Sequence, residues 1–277
     1  MTVTDVGAVL APSARRGPAP TGSGDRTWLP SVVLVIGLLV LWQVAALTFM
    51  AGSKAVPPVT DVVRDIAGDL DVYARHVRTT VREAWPGWLW GNLVATALGA
   101  IAVALPLLER PVLHVAVAVS SLPIIALGPI LQVTLAGDAP RSALAGLAVF
   151  FTTLVGTIVG LRACDPASVD VIRALGGGKS SVLRKVRVRA ALPDYFTALK
   201  ISAPAAVLGA IVGEFIGGSE NGLGVALISA RANADPARVW GIAVVATVVA
   251  GLGYAVIALA GRLLTPWAPR ARRNPSA

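Results

Sequence analysis

RACDPASVDVIRALGGGKSSVLRKVRVRAALPDYFTALK, residues 162–200, is a basic stretch set between two long apolar segments. It carries Arg162, Arg173, Lys179, Arg184, Lys185, Arg187, Arg189 and Lys200, opposed only by Asp165, Asp170 and Asp194. In a chain of apolar spans, a loop this basic belongs on the cytoplasmic face of the bilayer. Asp165 is placed to cap a helix, and Pro166 fits the first helical position, where no donor is needed. The helix runs over 166–175, and Gly176 supplies a left-handed stop. Val169, Ile172 and Leu175 recur three apart as a short apolar stripe, with Asp170 and Arg173 close enough to pair beside it. Gly176-Gly177-Gly178 lets the chain turn. Ser180 or Ser181 caps a second helix, which Pro193 weakens or ends. A short helix is marginal in water unless its stripe is buried, so this stripe asks for a partner groove.

The flanking sequence supplies the membrane. The chain is 55% hydrophobic and only 14% charged, with a mean hydropathy of +0.73. A soluble domain carries about a quarter charged residues. Stretches of about 20 apolar residues cross a bilayer as helices. Six are expected, at 29–50, 85–108, 112–135, 142–161, 200–217 and 239–264. The expected fold is an all-α membrane protein of six transmembrane helices with a cytoplasmic loop at 162–199. With both termini inside, 16 of the 24 Lys and Arg residues fall on the cytoplasmic side. Residues 1–28 read as a disordered cytoplasmic tail, and 267–277 as a basic cytoplasmic tail. The five later spans and their loop form a core over 85–266. Between the first two spans, 51–84 reads as an extracytoplasmic amphipathic segment. There Val59, Val62, Val63, Ile66 and Leu70 take one side, and Asp61, Arg64, Asp65, Asp69 and Asp71 form a solvated face.

Several chemistries are excluded. Cys164 is the only cysteine, so there is no intrachain disulfide, and no metal site of the common kinds is expected. No cofactor is called for. The net charge of +9 does not form an aromatic-interleaved surface for nucleic acid. Gly178-Lys179-Ser180 imitates the end of a phosphate-binding loop, but the Gly required five residues earlier is Arg173. The chain is therefore not expected to be an enzyme.

Within the spans, Gly209 and Gly213 form a small-xxx-small pair against which a second copy of the chain, or the third span, can pack. Pro204 breaks a backbone bond in the fifth span, and Pro123 and Pro129 do so in the third. Freed carbonyls of this kind are tolerated facing protein or a water-filled cavity. Gln132 and Thr134 are candidate cavity polars. Glu214, near the outer end of the fifth span, faces the bundle or outer water, and a bond to a gate loop suits it. His114 reads as a packed neutral histidine. Gly217, Gly218, Gly222 and Gly224 suggest a flexible outer gate.

Asp170-Val-Ile-Arg-Ala-Leu-Gly176, followed after nine residues by Val186 and by Ala-Ala-Leu-Pro193, resembles the cytoplasmic EAA loop of binding-protein-dependent ABC importer permeases. Gly213-Glu-Phe-Ile-Gly-Gly-Ser-Glu-Asn-Gly-Leu-Gly224 and Leu122-Pro-Ile-Ile-Ala-Leu-Gly-Pro129 resemble the nitrate/sulfonate/taurine-type branch. Three features depart from it. Asp170-Val171-Ile172 stands for the usual Glu-Ala-Ala, Arg189 replaces a common Pro, and Trp-Phe-Gly is missing around 134–137. The resemblance implies a bacterial plasma-membrane permease dimer, two cytoplasmic ABC ATPase subunits and an extracytoplasmic solute-binding protein. It implies ATPase coupling through Val169, Asp170, Ile172, Arg173, Leu175, Gly176 and Gly177. It also implies a translocation path near Pro123, Pro129, Gln132, Gly209, Gly213 and Glu214. The solute would be a sulfonate, nitrate, taurine or vitamin precursor. The rival is a self-contained carrier or channel driven by an ion gradient.

Overall fold

The computed structural model describes residues 29–49, 55–217 and 219–267. The expectations for 1–28, 50–54, Gly218 and 268–277 lie outside these residues. The described chain is helical: α1 (Leu29–Leu47), α2 (Val59–Gly68), α3 (Leu70–Ala104), α4 (Pro106–Ser121), α5 (Ile124–Thr134), α6 (Ala139–Arg162), α7 (Pro166–Ala174), α8 (Lys179–Val182), a π turn (Leu183–Arg187), α9 (Val188–Ile216), α10 (Leu223–Ala232) and α11 (Pro236–Leu264). Five helices are long and apolar enough to cross a membrane, namely α1, α3, α6, α11 and the helix ending in α9. The pair α4 and α5 makes a sixth if its two arms count as one span.

Two of the breaks are written locally by proline. Leu105 precedes Pro106 and is extended, at φ −121° and ψ 88°; Leu122 precedes Pro123 and sits at φ −72° and ψ 129°. A residue before proline is pushed out of the helical region by the ring. The second span therefore stops at Ala104, short of 108. The third span, expected as one span over 112–135 with backbone bonds lost at Pro123 and Pro129, bends by 94° between α4 and α5.

Elsewhere tertiary packing overrides local signals. The amphipathic segment is not one helix on the surface. It breaks at Asp69, and its second half is the front of α3, a single helix of 35 residues. At 1.5 Å per residue, α3 is about 52 Å long, well beyond a hydrocarbon core of about 30 Å. Two carboxylates expected on a solvated face instead hold α11: Asp65 accepts from Arg238 Nε at 3.0 Å, and Asp69 also pairs with Arg238. Tyr73 donates to Asp65 at 2.5 Å.

The fifth span begins at Val188 rather than 200, and α9 runs through both Pro193 and Pro204. A π turn, Leu183–Arg187, precedes it. Packing carries the helix through. A Cβ on Gly160 would lie 2.9 Å from the Ala191 carbonyl oxygen, and Gly156 lies against Ala198. The same contact line continues to the other end. A Cβ on Gly209 would lie 2.7 Å from Ala145 Cα, and one on Gly213 would lie 3.0 Å from Arg141 Cα. The small face of the fifth span is thus filled by α6, the fourth span, and not by the third span or a second copy. Helix α6 is the central staff, with α3 on one side and α9 on the other; Ala95, Ala145, Val149, Leu154 and Ala210 form its fully buried core.

Candidate functional site

The chemistry gathers at the two ends of the α3–α6–α9 core and at one point between them. At the α10 end, the first backbone donors of α10 are tied down by side chains from other helices. Gly222 N–H donates to His76 Nδ1 at 3.0 Å, Leu223 N–H to Thr80 Oγ1 at 3.0 Å, and Gly224 N–H to Glu214 Oε2 at 2.7 Å. Helix N-termini leave such donors without intrahelical partners; here α3 and α9 supply the acceptors. Gly217, at the end of α9, offers its carbonyl to Gln132 Nε2 at 2.8 Å. The segment joining α9 to α10 is therefore lashed to α3, α5 and α9 at once. Gly222 sits at φ +139°, and a Cβ there would run into the Glu214 carboxyl. Glu214 is fully buried and serves the loop bond expected of it. Gln132, half-buried, gives its amide N–H to the same loop.

Beneath this loop lies an ion pair invisible to periodicity. Arg141 Nε donates to Glu83 Oε1 at 2.7 Å, and its terminal nitrogen reaches Asp138 at 2.6 Å. Arg141 and Glu83 are 4% and 2% exposed, so this pair is almost wholly withdrawn from solvent. Ser142 Oγ also donates to the Glu83 carbonyl at 2.9 Å. A cavity of about 370 Å³ opens beside the pair, bordered by Thr79, Asp138, Ser219 and Asn221.

Midway along the core, Asn92 joins three helices. Thr153 donates to its Oδ1 at 2.5 Å, Ser202 Oγ lies 3.3 Å from the same oxygen, and Asn92 Nδ2 donates to the Trp88 carbonyl at 2.6 Å. Trp88 Nε1 donates to Ser202 at 2.9 Å. Interhelical hydrogen bonds in membrane proteins contribute about 0.6 kcal/mol each on average and up to about 1.7. Asn92→Leu is expected to lower the thermal unfolding midpoint of the detergent-solubilised chain by several degrees; an unchanged midpoint would show the network to be dispensable.

At the opposite end, α7 begins as expected, with Ala167 N–H donating to Asp165 Oδ1 at 3.1 Å, and stops at Gly176, φ +79°. The apolar stripe divides, however. Val169 is buried against its own chain and Ile172 is half-buried, while Leu175 is 79% exposed. The free apolar surface is Val171 with Leu175, four apart and so on one helix face. Asp170 and Arg173 form no ion pair with each other. Gly177 lies against Ile172.

Pro123 caps α5 and Pro129 lies within it, while Gly209 and Gly213 serve the α6 contact. The third-span residues thus stand apart from the deeper polar network. His114 is exposed rather than packed. Glu83, Arg141, Asn92, Ser202 and Thr153 escaped the sequence reading. Their signal was only that polar residues occur inside or at the edge of apolar spans.

The family of binding-protein-dependent transport system inner membrane components matches residues 91–270, and the chain belongs to it. Over 240 residues it is 26% identical to the formylaminopyrimidine transport permease protein ThiX of Halalkalibacterium halodurans, covering 86% of this chain and 96% of that protein. Over 162 residues it is 29% identical to the riboflavin transport system permease protein RibX of Chloroflexus aurantiacus, covering 58% and 60%. In fold it is similar to a chain of the MetNI methionine ABC transporter in an inward-facing conformation, with a TM-score of 0.56 at 20% identity, covering 73% of this chain and 98% of that one. The protein is a multi-pass membrane permease of an ABC importer.

Proposed function

We propose that α7 is the element through which a cytoplasmic ATPase drives this permease. The observation that carries the reading is the pair Val171 and Leu175, 58% and 79% exposed on a short, capped helix. An exposed apolar face on so short a helix is stabilised by a groove on a partner. Two ATPase subunits would each grip one copy of α7, and Gly176 would let α7 move relative to α8 and α9. ATP hydrolysis belongs to those subunits, since Gly178-Lys179-Ser180 lies at a helix–helix turn and not after a strand.

The α7 end then faces the cytoplasm, with both termini on that side of the bacterial plasma membrane. The α10 end faces outward to a solute-binding protein, and the segment 217–224 is the outer gate. A second copy covers α5, whose Ile125, Ile130 and Val133 are unburied. The solute is small, of the sulfonate, nitrate, taurine or vitamin-precursor kind. The names of ThiX and RibX favour the heterocyclic vitamin-related group. Specificity rests chiefly with the binding protein.

Leu175→Asp places a charge on the contact face. Uptake in membrane vesicles is expected to fall at least tenfold while the chain stays inserted, and the ATPase should no longer co-purify. Normal uptake with the ATPase retained defeats the coupling assignment.

A further inference from the structure

Where α3, α6, α7 and the start of α9 converge, a cavity of about 560 Å³ is walled by apolar side chains, among them Val103, Leu161, Leu183 and Val188. Two arginines, Arg173 from α7 and Arg187 from the π turn, complete the wall, and no Asp or Glu lines it. Arg187 Nε is buried without a hydrogen-bond partner. A buried donor left in that state is costly, and more so when it belongs to a charged group. The cavity therefore presents two arginines with no counter-charge in its lining.

Its depth says where the anion comes from. The cavity adjoins the ends of α3 and α6, where two spans finish. Two residues beyond Arg187, Arg189 stacks on Trp267 at 4.8 Å, and tryptophan concentrates at the membrane–water interface. The cavity thus opens at headgroup level. Its apolar walls suit the first methylenes of an acyl chain and give a free inorganic ion nothing to contact. Phosphate oxygens match the planar fork of arginine, and basic pockets between spans at this level take acidic headgroups.

We infer that this cavity binds one acidic phospholipid of the adjoining leaflet, its phosphate held between Arg173 and Arg187 and its proximal chain laid along α3 and α6. The bound lipid ties α7 to the start of α9, so the membrane's charge bears directly on the helix assigned to coupling. The leaflet is the cytoplasmic one on the reading of α7 given above.

Native mass spectrometry of the delipidated full-length chain, titrated with phosphatidylglycerol and separately with phosphatidylcholine, tests the site. One phosphatidylglycerol per chain should bind at least tenfold tighter than phosphatidylcholine. Arg187→Gln should weaken it about tenfold, and Ala104→Trp, which fills the cavity and leaves both arginines, should do the same. Arg184→Ala, an exposed charge off the cavity, should change it less than twofold. Unfolding midpoints confirm that each variant is folded. Equal binding of the two lipids, or wild-type binding by both Arg187→Gln and Ala104→Trp, overturns the inference. Displacement of the lipid by glycerol phosphate would assign the site to a soluble phosphate and overturn it equally. Maleimide labelling of Cys164 in sealed vesicles reads the side of the membrane separately, so a wrong orientation is distinguished from an absent lipid site.

Discussion

Arg141→Leu is expected to cost about 3–5 kcal/mol, the usual penalty for removing one partner of a buried ion pair. The loss should appear as a collapse in the yield of folded protein and a much lower unfolding midpoint in detergent. The reason lies in what remains: Glu83, 2% exposed, keeps a carboxylate with neither counter-charge nor water. The double variant Arg141→Leu/Glu83→Leu removes both charges and should recover a substantial part of the loss, because well-packed apolar groups often replace a buried pair with little penalty. If the single variant melts with the wild type, the pair does not hold α3 to α6. If the double variant is no better than the single one, the volume at Arg141 matters and its charge does not.

Gly222→Val should be the most damaging change in the segment between α9 and α10. At φ +139° a branched side chain is strained, and such conformations cost about 1–3 kcal/mol. Its Cβ would also displace the Glu214 carboxyl, which accepts from Gly224 at 2.7 Å. Uptake should fall at least tenfold while the chain remains in the membrane. Gly137 makes the control. It too has positive φ, at +62°, but nothing stands within 4 Å of its would-be Cβ, and Asn accepts that region. Gly137→Asn should transport normally. Equal activity of Gly222→Val and the wild type would show that the lashed conformation of this segment is not needed for transport.

The helical cap at Asp165, the left-handed stop at Gly176, the bond from Glu214 to the following loop and the apolar spans were all legible in sequence. Each depends on a short window: a side chain two residues from the donor it caps, a glycine after a helix, a run of apolar residues. The breaks at Leu105 and Leu122 were equally local, since each stands before a proline, and a stricter reading of the X-Pro rule finds them. Pro193 shows the opposite. The same residue type predicted a stop, but close contact of Gly156 and Gly160 with Ala198 and Ala191 holds α9 helical through it. A local preference of a few kcal/mol gave way to packing along a whole helix.

The candidate site was less legible because its partners are far apart in the chain. Glu83 meets Arg141 across 58 residues, and His76 meets Gly222 across 146. No hydrophobic period records which polar residue at the end of one span will face which at the end of another. Composition and hydropathy establish helical spans, because a span in lipid must satisfy its backbone hydrogen bonds and apolar runs of about 20 residues are too long for barrel strands. The crossing of α6 between α3 and α9 settles the rest. It puts glycine against backbone, pairs the buried charges and leaves Val171 and Leu175 outside. Those outcomes belong to the packed bundle, since each requires residues that meet only after the helices have assembled.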